Sequence, residues 1–122
     1  MGELLRRKGE LEAAREVLER AVRVGESTLS PQSLDLADFH ENLARVLGSL
    51  GETPKAEASF AKVLAIRETV LPGDDPRIAQ TLEDYSSLLR SVGRTVEAEP
   101  MEARARAIRA KRGETTSTAS RP

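Results

Sequence analysis

Three glycines, Gly9, Gly51 and Gly93, stand 42 residues apart, and their surroundings recur on the same spacing. Ala14, Ala56 and Ala98 follow each glycine by five positions, and Val24, Ile66 and Ile108 by fifteen. Leu5, Leu47 and Leu89 precede it by four. Residues 29–70 laid without gaps on 71–112 give 13 identities in 42 positions, where chance gives roughly 3 for such a composition. A period of this length belongs to arrays of one supersecondary unit, in which each copy buries its apolar face against its neighbours.

Each period reads as two amphipathic helices. Over 34–50, Leu36, His40, Leu43, Val46, Leu47 and Leu50 recur at helical spacing. Gly51 supplies the left-handed residue that ends such a helix. Thr53 and Pro54 then suit an N-cap and a first helical position, and Ala56, Phe60, Val63, Leu64 and Val70 form the next apolar stripe. Leu71-Pro72-Gly73-Asp74-Asp75-Pro76 is a strong break, with Asp75 as cap and Pro76 opening a helix that carries Ile78, Leu82, Tyr85, Leu88 and Leu89. A last helix is predicted from about Thr95 to Lys111, with Ala98, Met101, Ala105 and Ile108 inward. The two- or three-residue turns at the glycines force the paired helices antiparallel.

The expected organisation is therefore all-α. It has a partial repeat at 1–29, complete repeats at 30–71 and 72–112, and an unstructured tail at 113–122. In the partial repeat only Met1–Lys8 matches the first helix of a pair, so helix 10–29 has an incomplete partner and leaves Leu11, Ala14, Leu18 and Ala21 partly uncovered. In the last helix Glu102 replaces the apolar residue found at Leu18 and Phe60, a polar face that suits a terminal cap. The tail lacks any apolar period.

Little in the chain points to catalysis. There is no cysteine, hence no thiol nucleophile and no disulfide. His40, the one histidine, occupies a packing position equivalent to Leu82 and reads as structural. No phosphate-binding glycine loop, serine elbow or metal-ligand spacing is present, so neither cofactor nor metal is predicted. The basic cluster Arg104, Arg106, Arg109, Lys111 and Arg112 has no interleaved aromatic for base stacking and suits the end of a helix dipole, so nucleic acid is not the expected partner. No signal peptide or stretch of about 20 apolar residues is present, and a cytoplasmic, non-membrane protein is expected.

The 42-residue period, Ala98-Glu99-Pro100-Met101 and the run Leu71 to Ala79 resemble tetratricopeptide repeats of the kinesin-light-chain and nephrocystin type. The resemblance covers residues 4–111. It implies antiparallel helix pairs stacked as a short right-handed α-solenoid, whose first helices line a concave groove that holds a peptide or helix of another protein. Carried over position by position, the implied groove residues are Asp38, Glu41, Asn42 and Arg45 on one repeat. Gln80, Glu83, Asp84, Ser87 and Arg90 are those on the next. Where the family often has paired asparagines this chain has Glu41-Asn42 and Glu83-Asp84, and only Asn42 matches. Lysine or arginine is absent at Gln80 and Asp84, so the family's carboxylate clamp is not implied. Four carboxylates against two arginines suggest a partner that is neutral or basic at the contact. The residues leave open whether Arg45 and Arg90 grip a partner or pair with neighbouring carboxylates. The function implied is a non-enzymatic protein-binding scaffold. The alternative is a structural segment, either a homodimer through the N-terminal edge or the C-terminal piece of a longer array.

Overall fold

The computed structural model describes residues 2–120, and the side chains of 6–111. Five helices follow one another: α1 (Gly2–Thr28), α2 (Leu34–Ser49), α3 (Thr53–Val70), α4 (Pro76–Ser91) and α5 (Thr95–Ser120). Among the described residues there is no strand. The chain divides into two units, Met1–Thr69 and Val70–Pro122. The first is built on α1 to α3 and the second on α4 and α5.

The period is visible in the backbone. Among the described residues, Gly51 (φ 81°) and Gly93 (φ 82°) are the glycines with positive φ, a region that side chains with a Cβ resist. After α2, the Glu52 N–H donates to the Leu47 carbonyl (2.9 Å) and the Gly51 N–H to that of Gly48 (3.1 Å). After α4, the Arg94 N–H donates to Leu89 (2.8 Å) and the Gly93 N–H to Arg90 (3.0 Å). This paired pattern satisfies carbonyls that a helix end otherwise orphans. The starts of α2 and α4 match too. Ser33 Oγ accepts from the Asp35 and Leu36 N–H groups at 3.1 and 3.4 Å. Asp75, 42 residues on, accepts from the Arg77 N–H at 2.8 Å with Pro76 at the helix start.

Three boundaries differ from the sequence expectation. Thr53 is not the cap of α3 but its first residue. The Ala56 N–H donates to the Glu52 carbonyl at 3.0 Å, because the glycine turn closes at Glu52 and frees that carbonyl first. At the N-terminus the expected break at Gly9 is absent, and α1 runs straight through it. Where Thr53-Pro54 restarts a helix, this segment has Leu11-Glu12, good helix formers with no cap. With no cap to restart a helix after Gly9, continuation wins over the roughly 1 kcal/mol that a mid-helix glycine costs. The side chains of Leu4 and Leu5 lie outside the described residues. At the other end α5 continues past Lys111 to Ser120. The segment 113–122, expected to be unstructured, lies beyond the residues whose side chains are described.

Alternation of apolar stripes and small residues builds the cores. In the first unit Leu36 and Ala37 of α2 pack with Val63 and Ile66 of α3, with Leu29, Leu34 and Phe39 against them. α1 approaches α2 at Gly25, where an added Cβ would lie 3.0 Å from Leu36 Cδ1 and 3.2 Å from Phe39 Cδ2. In the second unit Ile78, Leu82 and Leu89 of α4 and Ala98, Ala105 and Ile108 of α5 are buried. Ala56 and Ala98, five residues after each turn, have no exposed surface. The stripe of α1 is only half covered: Leu11, Ala14, Leu18 and Ala21 are of intermediate burial. Val24 is 55% exposed, whereas its counterparts Ile66 and Ile108 are 9% and 7%.

Candidate functional site: the polar faces of α2 and α4

Residues 38, 41, 42 and 45 recur at helical spacing, so Asp38, Glu41, Asn42 and Arg45 share one face of α2. That face is not a row of free charges. Arg67 of α3, only 4% exposed, reaches it from the neighbouring helix. Its Nη1 donates to Glu41 Oε2 at 2.9 Å, and its Nη2 donates to Glu41 Oε1 (3.2 Å) and Asp38 Oδ1 (2.9 Å). Planar guanidinium suits this forked geometry, which an ammonium could not reproduce. Arg45 Nη2 lies 3.7 Å from Glu41 Oε2. Asp38, Asn42 and Arg45 are the exposed members of the face, and Glu41 is largely covered.

The same device recurs on α4. Arg109 of α5, 42 residues after Arg67, donates through Nε and Nη2 to Glu83 at 2.6 and 2.8 Å. That hydrogen bond holds the Glu83 carboxyl below its ordinary pKa. Here the partners are about two-fifths exposed, so the pair is solvated where the first is buried. Gln80 Nε2 donates to Asp84 Oδ1 at 3.0 Å. Arg90 grips Glu102 of α5 through Nε and Nη2, the latter at 2.6 Å. Ser87 is exposed beside them. Glu83, Ser87, Arg90, Glu102 and Arg106 line one shallow cleft of about 450 Å³.

The structure thus places Asp38, Glu41, Asn42 and Arg45 together on α2, and Gln80, Glu83, Asp84, Ser87 and Arg90 together on α4. Arg90 is paired with Glu102, whereas Arg45 stands 3.7 Å from Glu41 with about half of its side chain exposed. Sequence reasoning missed Arg67 and Arg109, which neutralise carboxylates counted as unbalanced. The signal was present, because Glu41/Glu83 and Arg67/Arg109 are both identities of the 42-residue period. Arginine in a stripe otherwise read as apolar gave no reason to look across to the preceding helix.

His40 is buried on the opposite side of α2, as its equivalence with Leu82 led us to expect. Its Nδ1 is buried with no hydrogen-bond partner, and its Nε2 lies 3.6 Å from Glu26 Oε2, too far for a hydrogen bond. Burial, reinforced by Lys62 and opposed by Glu26, lowers its pKa, so the ring is neutral near pH 7. Among the described residues no cluster of three or more acidic or histidine side chains could hold a metal. No described helix is long and apolar enough to cross a membrane.

A family model described as a tetratricopeptide repeat matches residues 1–69 and again 35–111. Among solved structures, two of kinesin-light-chain, nearly identical TPR-like repeats from Podosopora anserina are similar to the chain. One, a point variant, superposes with a TM-score of 0.75 and the other with 0.73, each at 24% identity over 87% of this chain. The chain spans 50% of the length of each. No curated protein matches it.

Proposed function

The chain belongs to the tetratricopeptide-repeat family, and on that premise we propose that it is a protein-binding scaffold, not an enzyme, working through the polar faces of α2 and α4. The observation that carries this reading is the division of labour on those faces. Arg67, Arg109 and Glu102 come from the second helix of each pair and hold Glu41, Glu83 and Arg90 in place. Asn42 and Arg45 on α2, and Ser87 on α4, stay exposed on helices that are already formed. A side-chain amide such as Asn42 both donates and accepts, which suits the backbone of an extended peptide. A pre-formed receptor saves the ordering cost of binding. With Asp38, Glu41 and Glu83 already paired to arginine, the faces favour a contact that is neutral over one that is strongly basic. The test is capture from a lysate, comparing the native chain with an Asn42→Ala, Arg45→Ala, Asp84→Ala variant of equal helicity. Proteins held by the native chain and lost by the variant are expected. Identical captured sets would sink the reading.

The half-covered stripe of α1 supports a second reading, in which Leu11, Ala14, Leu18 and Ala21 form an edge for a second copy of the chain. Thermal melts over a hundredfold range of protein concentration separate the two. Self-association raises the midpoint with concentration, and a midpoint that stays fixed rules it out.

A further inference from the structure

We propose that the cavity beside His40 in the first unit is a binding site for a small neutral phenolic ring. It lies off the polar face of α2 and is independent of the scaffold reading above. The cavity is an open cleft of about 370 Å³ lined by Pro31, Leu36, Ala65 and Ile66, with the buried His40 and the partly exposed Glu26 and Lys62 as its polar members. That volume falls in the range of small-ligand sites, which combine mostly apolar walls with a few placed polar groups.

The chain carries its own control for this position. The equivalent residue of the next repeat is Leu82, which is 2% exposed. The fold therefore takes leucine here, and a histidine without hydrogen bonds serves no packing need. Its Nδ1 is buried and unpartnered, so the proton of the neutral ring belongs on Nε2, the nitrogen nearer Glu26. Glu26 Oε2 stands 3.6 Å from His40 Nε2 and 3.6 Å from Lys62 Nζ. The site thus offers an N–H donor and a carboxylate acceptor that do not satisfy each other, and a cation next to them.

These groups select the ligand. A carboxylate ligand would meet Glu26, and a cationic one Lys62. A hydroxyl meets both needs, accepting from His40 Nε2–H and donating to Glu26. An aromatic body fills the apolar walls and offers its face to the Lys62 ammonium. A phenol combines these features.

The single histidine makes the test direct, because its imidazole signals in NMR are unambiguous. The full chain is titrated with p-cresol, with toluene (the same ring without the hydroxyl) and with N-acetyl-tyrosinamide. Saturable shifts of the His40 signals by p-cresol are expected, with about fivefold weaker binding of toluene, as one net hydrogen bond implies. His40→Leu, which installs the residue of the paired repeat, is expected to keep the fold and erase that preference. Binding of N-acetyl-tyrosinamide at least as tight as p-cresol would assign the ring to a tyrosine of a partner protein. Weaker binding would assign it to a free small molecule. Either result supports the site. No saturable shift with p-cresol, or equal binding of p-cresol and toluene, overturns it.

Discussion

Arg67→Ala is expected to destabilise the first unit by about 3 kcal/mol, while Arg109→Ala, its counterpart in the second, costs less than about 1 kcal/mol. The residues and the bonds are alike, and only burial differs. Arg67 is 4% exposed and Glu41 13%. Arg109 and Glu83 are 44% and 39% exposed. Deleting one partner of a buried pair leaves the other charge desolvated and uncompensated, which costs about 3–5 kcal/mol. Exposed pairs are worth about 0–1 kcal/mol. Arg45, 3.7 Å from Glu41, can draw closer after the deletion, which sets the expectation at the low end of the range. Asp38 is exposed enough for water to take it over. Urea unfolding followed by circular dichroism measures both variants. Losses within about 0.5 kcal/mol of each other would show that burial of the Arg67 pair contributes nothing. Exchanging the whole pair, as Arg67→Met with Glu41→Leu, should recover much of the loss, because the desolvation penalty disappears with the charges.

The backbone of the repeat could be read from the sequence because its signals are local. Gly51 and Gly93 have to take a positive φ at a helix end, and Asp75-Pro76 can cap and start a helix with no help from the rest of the chain. The same locality explains the misreading at Gly9. Glycine permits a turn but does not impose one, and without a cap after it the helix runs on. The polar faces were half legible. Helical spacing put Asp38, Glu41, Asn42 and Arg45 on one side of α2, yet their charge state depends on Arg67, 26 residues beyond Glu41. Comparing the two repeats as pairs of positions would have found it, since Glu41 and Arg67 change neither identity nor spacing in the second repeat. Arg90 and Glu102 stand where the repeat before has Gly48 and Phe60, so that polar contact replaces an apolar position and a glycine together. The cavity beside His40 left no such trace. Its walls come from α1, α2, α3 and the loop at Pro31, which no single periodic stripe brings together.

Exchanging the residues of the paired seam positions should have effects of opposite sign. Leu82→His is expected to cost about 2.5–6 kcal/mol, combining about 1.5–3 kcal/mol for losing a buried leucine with about 1–3 kcal/mol for burying an imidazole that finds no partner. His40→Leu removes such an imidazole and should gain about 1–2 kcal/mol. Acidity separates this account from one of shape alone. The pKa of His40 is lowered on folding, chiefly by burial and then by Lys62, so between its folded value and the unfolded value of about 6.5 the unfolded chain binds the proton more readily. The stability tied to the neutral ring is complete above about pH 6.5 and is lost as pH falls from there through the folded value, by at most about 1.4 kcal/mol per pH unit. The native chain should therefore weaken between pH 7.5 and 5.5, and His40→Leu should not. Denaturant melts at the two pH values give the comparison. Equal losses in both proteins would mean that the imidazole at the seam is not the group that titrates, and a stability of Leu82→His close to native would mean that the second unit tolerates a polar ring which the first leaves unsatisfied.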